Sequence, residues 1–198
     1  MSNQIETYIE IKLENRDQVS VLFRYVLIVP ILIFAAAFAP GGGEALTLGL
    51  GMIILPVLLA IVFRGVYPSY ALRFNQATLE LSTRITAYAL LLNDNYPSIE
   101  PHSSVRVVFP DINGGKKLNR LLPLLKWLLA IPLYLVGLIY TIYALIMLVV
   151  GWFAVIFTKE MPQSVAEVLF GATRFWNRVF GYAFLLVTDE YPSFNLND

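Results

Sequence analysis

Apolar and polar side chains alternate from Ile5 to Leu13, with Ile5, Thr7, Ile9, Ile11 and Leu13 on one side and Glu6, Tyr8, Glu10 and Lys12 on the other. A period of two predicts a strand. A shorter alternation at Val105, Val107 and Phe109, closed by Pro110-Asp111 and the Asn113-Gly114-Gly115 turn, predicts a second. Behind each strand stands a long neutral block. Between Arg24 and Arg64 the only formal charge is Glu44, and between Lys126 and Lys159 there is none.

The first block, 21–63, is interrupted by Pro40-Gly41-Gly42-Gly43, a run that should break any helix. Its halves, 21–39 and 46–63, are each about 27 to 29 Å long as helices, close to the ~30 Å hydrocarbon core. They predict a transmembrane helical hairpin. Arg16 and Arg24 stand at one end of it and Arg64 and Arg73 at the other, so the positive-inside rule places both ends in the cytoplasm. The second block, 121–158, has no such break and as one helix would be about 57 Å long. That would put Lys126 and Lys159 on opposite sides and strand the hydroxyls of Tyr134, Tyr140 and Tyr143 in mid-membrane. A second hairpin, folding near Gly137 to Thr141, is expected instead, with those tyrosines at the far interface. Ala37-Phe38-Ala39 resembles a signal cleavage site, but Glu6, Glu10, Glu14 and Asp17 ahead of it, the length of the apolar run and the following Pro40 favour an uncleaved anchor.

After each block, apolar residues return at spacings of three and four. They are Tyr70, Phe74, Ala77, Leu81, Ile85, Tyr88 and Leu92 in the first case, and Val165, Leu169, Ala172, Trp176, Val179, Ala183 and Leu186 in the second. Pro68 and Pro162 stand where such helices would start. The pattern predicts amphipathic helices over 69–92 and 163–187, either lying along the cytoplasmic interface or folded back as a cap on the hairpins.

Composition supports a lipid setting. Hydrophobic residues make up 58% of the 198, and charged residues only 14%, more apolar surface than a water-soluble domain of this size hides. Formal net charge is zero, which removes the usual reason to expect nucleic acid. With no cysteine in the chain, disulfides and thiolate ligands are excluded.

The tripeptide Tyr-Pro-Ser occurs at 67–69, 96–98 and 191–193. Laying the second half on the first at a shift of about 95 residues aligns the elements: Pro68 with Pro162, Arg84 with Arg178, Tyr88 with Tyr182, and Tyr96-Pro97 with Tyr191-Pro192. The alignment predicts two tandem repeats, 1–100 and 101–198, each a strand, a hairpin, an amphipathic helix and a Tyr-Pro-Ser turn. The stretches 87–97 and 181–194, ending Asp94-Asn95-Tyr96-Pro97 and Asp189-Glu190-Tyr191-Pro192-Ser193-Phe194, are similar to those of the DUF4389 family of small bacterial membrane proteins. Ile99 stands where that family has an aromatic, and the second unit carries one extra residue before Asp189. The resemblance implies a fold and a bacterial membrane location; it implies no activity.

Candidate chemistry is sparse. Asp94 and Asp189, each two residues before a Tyr-Pro, are expected to accept hydrogen bonds in the turn and to meet Arg84 or Arg178 if the chain reverses. Tyr96, Pro97, Tyr191 and Pro192 are expected as interfacial anchors and chain-directing turns. His102 is the only histidine, too few for a metal set, and no serine pairs with a general base. Neither an enzyme nor a cofactor is expected. Arg24, Arg64, Arg73, Arg84, Lys126, Lys159, Arg174 and Arg178 are candidate contacts for lipid headgroups. The sequence therefore predicts an all-α membrane protein of the bacterial inner membrane, multi-pass with both termini cytoplasmic. It would act as an accessory or scaffold subunit, or as a lipid-organising protein, with membrane lipids and another membrane protein or a second copy as partners. A small transporter or channel is the alternative.

Overall fold

The structure, a computed structural model, describes residues 3–37, 53–100 and 103–196. Strands β1 (Glu6–Ile9) and β2 (Val105–Val108) fall inside the two alternating stretches and pair with each other, antiparallel, with Thr7 opposite Val107 and Tyr8 opposite Arg106. The remainder is mostly helical. The first neutral block contains α1 (Gln18–Leu27), α2 (Val29–Ala37) and the short α3 (Leu55–Leu59), which continues as a π-helical turn over Ala60–Arg64. The expected Pro40 to Gly43 turn lies outside the described residues. Helix α4 spans Ser69–Ala89, α5 Pro123–Leu129, α6 Ile131–Thr158 and α7 Gln163–Ala183. Two helical stretches, Gln18–Ala36 and Ile131–Thr158, are long and apolar enough to cross a membrane.

The second block departs from expectation. It forms no hairpin at 137–141, because α6 runs unbroken through that stretch for 28 residues. Gly137 serves packing instead of a turn: a Cβ there would sit 2.7 Å from Cζ2 of Trp176. One tyrosine hydroxyl that argued for a bend is satisfied within the protein, since Tyr140 donates to the Phe194 carbonyl at 2.6 Å. The real break in this block is at Ala130, between α5 and α6, and its counterpart in the first block is at Ile28, between α1 and α2. Each lies two residues before a proline, Pro132 and Pro30, whose ring displaces the carbonyl four residues back and offers it no N–H. At both breaks the backbone N–H is retained on a basic residue's carbonyl: Ile28 to Arg24 and Ala130 to Lys126, each at 2.9 Å.

The turns behind α4 and α7 share an unusual feature. Leu91 and Leu186 adopt positive φ, 62° and 59°, a conformation that costs a side-chain-bearing residue about 1–2 kcal/mol. Both leucines are buried, and the flanking amides are bonded back onto the helix, Leu92 to Ala87 and Leu185 to Phe180 at 2.9 Å. Burial and closure of the helix ends offset the strain.

Helices α4 and α7 end three and four residues earlier than the periodicity predicts, and the first half of α4 leaves Tyr70, Arg73 and Phe74 exposed. Helix α7 is buried along most of its length, packing antiparallel on α6 through Gly137 and Gly151, where Trp176 and Val165 approach. Its other side meets β1, and α4 meets β2. The layers run from α1, α5 and α6, through α4 and α7, to the two-stranded ribbon. Chain exchange ties the halves together: Met161 N–H donates to the Leu13 carbonyl at 2.7 Å and Tyr67 N–H to the Gly114 carbonyl at 2.9 Å.

Candidate functional site

Buried cations meet aspartates at two sites built alike. At the first, Asp17 caps α1 by accepting from Val19 N–H at 3.1 Å, and further along the helix Arg24 points inward, fully buried. Its Nη2 meets Asp94 Oδ1 at 2.8 Å, and its Nη1 donates to the carbonyls of Tyr88 (2.7 Å) and Asn93 (2.9 Å). The guanidinium carbon lies 4.3 Å above the Tyr88 ring, at cation–π distance. Arg16 joins the same carboxylate at 2.9 Å and Lys12 at 3.2 Å. Burial alone would raise the Asp94 carboxyl, but Arg16, Lys12 and Arg24 together hold it below the usual carboxylate range.

At the second site Asn119 receives the N–H groups of Leu121 and Leu122 at 2.9 and 3.3 Å. Lys126, fully buried, reaches Asp189 Oδ1 and the Thr188 carbonyl, both at 2.6 Å. Its ammonium stands 5.3 Å from the centre of the Tyr182 ring. The second carboxylate oxygen of each aspartate turns to the backbone at the head of the helix, Asp94 to Asp17 N–H at 3.4 Å and Asp189 to Asn119 N–H at 2.5 Å. A tyrosine stacks edge-on beside each, Tyr96 on Tyr88 and Tyr191 on Tyr182, with centroids 5.9 and 5.5 Å apart.

These contacts correct two sequence expectations. The aspartates pair with Arg24 and Lys126 on the first helix of each half, and not with Arg84 or Arg178. Those arginines, also buried, hold the segment beyond each Tyr-Pro: Arg84 donates to the Glu100 carbonyl, and Arg178 to Ser193 Oγ at 3.3 Å and the Asn195 carbonyl at 2.7 Å. Arg174 reaches the Leu196 carbonyl at 2.6 Å. Arg24, Arg84, Lys126 and Arg178 are thus committed inside the protein and do not reach a headgroup, because a buried cation must be paired there. Arg64, Arg73 and Lys159 are exposed.

Several polar residues at the layer contacts were not singled out by the sequence. Asn177 on α7 donates to Thr7 of β1 at 3.0 Å and to Thr83 of α4 at 3.1 Å. Asn75 clamps Ile53, accepting its N–H at 2.7 Å and donating to its carbonyl at 3.1 Å, and it also donates to Tyr67 Oη at 3.2 Å. Tyr67 in turn donates to the Leu185 carbonyl at 2.9 Å, and burial pushes its phenol up to about 12. The signal for Asp17 is its place seven residues ahead of Arg24, a spacing that Asn119 repeats ahead of Lys126.

These arrangements tie distant segments of the chain together. A general base works best with a pKa near the operating pH, whereas Asp94 is held low by three cations. Ser98 Oγ is occupied by Glu100 N–H at 3.1 Å. Among the described residues no cluster of three His, Cys, Asp or Glu side chains could hold a metal, and His102 lies outside the described residues. The family model for DUF4389, a domain of unknown function, matches residues 121–195, which cover α5, α6, α7 and the Lys126–Asp189 site. No curated protein and no solved structure matches the chain.

Proposed function

We propose that this protein is a non-enzymatic membrane protein made of two tandem copies of one unit, acting as an accessory or scaffold subunit of a membrane assembly in a bacterial inner membrane. Both termini lie on the cytoplasmic side. The observation that carries the reading is the division of the surface: Arg24, Lys126, Arg84 and Arg178 are buried in internal bonds, while the exposed side of α1, α5 and α6 is almost wholly apolar. Such a face has no stable place in water. The duplication is supported by the paired sites, Arg24–Tyr88–Asp94 and Lys126–Tyr182–Asp189, and by the paired proline breaks. The partners are membrane lipids, met at the headgroups by Arg64, Arg73 and Lys159 at roughly 1 kcal/mol per basic residue, and another membrane protein or a second copy of this chain. Purification in mild detergent followed by native mass spectrometry tests it, with bound lipid or a stoichiometric partner as the expected result. A strictly monomeric, lipid-free particle contradicts it.

A second reading, a small transporter or channel, draws on one feature. A cavity of about 260 Å³ between α4, α6 and α7 carries Ser82, Thr86, Thr141, Thr173 and Asn177 in an otherwise apolar lining. That reading requires solute flux in proteoliposomes, abolished by substitution of Pro30 or Pro132.

A further inference from the structure

We infer that α5 and α6 lie along the membrane, in the plane of its inner headgroup–acyl boundary, and do not cross it; the β1–β2 ribbon stands above the surface in water. The inference rests on the membrane reading above and concerns the orientation of the protein in it. The buried positions of α6, Leu133, Gly137, Ala144, Gly151 and Val155, form a single stripe at spacings of four and seven, and α7 covers that stripe. The opposite face is open along the whole helix, with Leu138, Ile142, Val149 and Phe157 at 56%, 53%, 55% and 79% exposure.

The elements behind α7 decide the orientation. Trp176 of α7 donates to Thr141 of α6 at 3.0 Å, and the next residue, Asn177, holds Thr7 of β1. Thr141 is about 15 Å from the first residue of a helix about 42 Å long. Centred upright on a ~30 Å hydrocarbon core, α6 would therefore hold Thr141, Asn177 and the ribbon well inside it. The ribbon carries the exposed Arg106 and the half-buried Glu6, and it is an open two-stranded sheet. Each charge would cost ~3 kcal/mol or more at that depth, and lipid-exposed sheet edges do not occur there because their backbone groups find no partner.

Laid flat, the same structure meets no such conflict. The open face of α6 enters the acyl region, α7 sits about 8–10 Å above it, and the ribbon lies beyond that. Charge agrees with this placement: the exposed Arg120 and Lys159 bracket the α5–α6 segment at its two ends, so that both reach phosphates of one leaflet. The exposed Trp127 of α5 and Tyr143 of α6 are suited to the same boundary.

The absence of native cysteine permits a direct test. Single variants Leu135→Cys, Ile142→Cys, Val149→Cys and Phe157→Cys, spin-labelled and reconstituted in mixed phosphatidylcholine and phosphatidylglycerol vesicles, report depth through collision with oxygen and with a water-soluble nickel complex. The expected result is one shallow depth for all four, about 5–10 Å below the phosphates. In the same vesicles, opened, Arg106→Cys is expected to react with a water-soluble maleimide at the rate of a free cysteine. A depth difference between Ile142 and Phe157 approaching the ~22 Å that separates them along the helix axis overturns the in-plane placement and leaves the membrane reading standing. Full exposure of all four labels to the nickel complex, with no enrichment of oxygen collisions, overturns the membrane reading and this inference together.

Discussion

The Nη2 of Arg24 lies 2.8 Å from Oδ1 of Asp94, although the two residues are 70 positions apart. The contact welds the last turn of α1 to the turn that follows α4, and Lys126 with Asp189 does the same for α5 and α7. Both cations are fully buried, so the net attraction within each pair matters less than the charge left behind when one partner is lost. Removing one member of a buried pair strands the other and costs about 3–5 kcal/mol. Asp94→Ala is therefore expected to destabilise by about that amount, since it leaves two buried arginines without their shared carboxylate. Asp189→Ala, which strands one lysine, is expected to fall at or below the lower end. Thermal unfolding of the two variants in the same detergent checks the order, and equal or negligible losses contradict it.

Acid should find the first site. A free aspartate titrates near about 3.9, and Asp94 titrates lower in the fold, after the three cations outweigh its burial. A depressed carboxyl stabilises the fold at pH values above its unfolded pKa and loses that contribution as pH falls through the folded one. The melting temperature of the wild type should thus hold steady down to about pH 5 and drop from about pH 4 downward. In Asp94→Asn the curve should start lower and fall less steeply across that window. Parallel curves contradict the assignment.

Alkali should find Tyr67. Its phenol is raised to about 12 by burial, against about 10 for an unfolded tyrosine. The unfolded chain loses that proton first, so the stabilisation is complete below about pH 10 and disappears between about 10 and 12. Tyr67→Phe is expected to remove this slope and to cost about 1–3 kcal/mol at neutral pH, because the Leu185 carbonyl and the Asn75 amide lose their buried partner. Unfolding followed across alkaline pH in both proteins measures it.

The continuity of α6 is testable at Ile139, whose side chain is exposed and whose place is the middle of the bend that the hydropathy pattern predicts. In a continuous helix, Ile139→Pro removes an internal hydrogen bond and forces a ring against a carbonyl, a loss of ~3 kcal/mol or more. In a turn the substitution would be tolerated. Circular dichroism and melting of the variant separate the two, and Ile139→Ala serves as the control for loss of the side chain.

Gly137 and Gly151 offer a measure of the α6–α7 contact. A Cβ at Gly137 would stand 2.7 Å from Trp176, and one at Gly151 would stand 3.0 Å from Met161 Sδ and Val165 Cγ1. Overpacking of this kind costs typically about 1–3 kcal/mol. Gly137→Ala should lie near the upper end, since an indole ring cannot bend aside, and Gly151→Ala lower, since the thioether of Met161 is adaptable. Stability of both variants, with Trp176 fluorescence as the local readout for the first, tests the ranking.

Much of this protein can be read along the chain because it depends on neighbours in sequence. Alternation placed both strands, Pro68 and Pro162 placed the starts of α4 and α7, and the charge-poor blocks marked the apolar helices; each arises from local sequence acting over a few residues. The candidate sites were legible in part. Asp94, Tyr96, Asp189 and Tyr191 stood out by position, but the partners assigned to the aspartates were wrong, because a side chain's partner depends on which helix the fold brings back to it. Tertiary structure alone decided that α6 passes straight through Gly137, where a ring from α7 packs against a bare Cα. It also decided that Arg24 and Lys126 face inward and that the two ribbon strands, about a hundred residues apart, pair with each other. Local pattern says which residues avoid water; only the packed layers decide whether protein or lipid takes water's place.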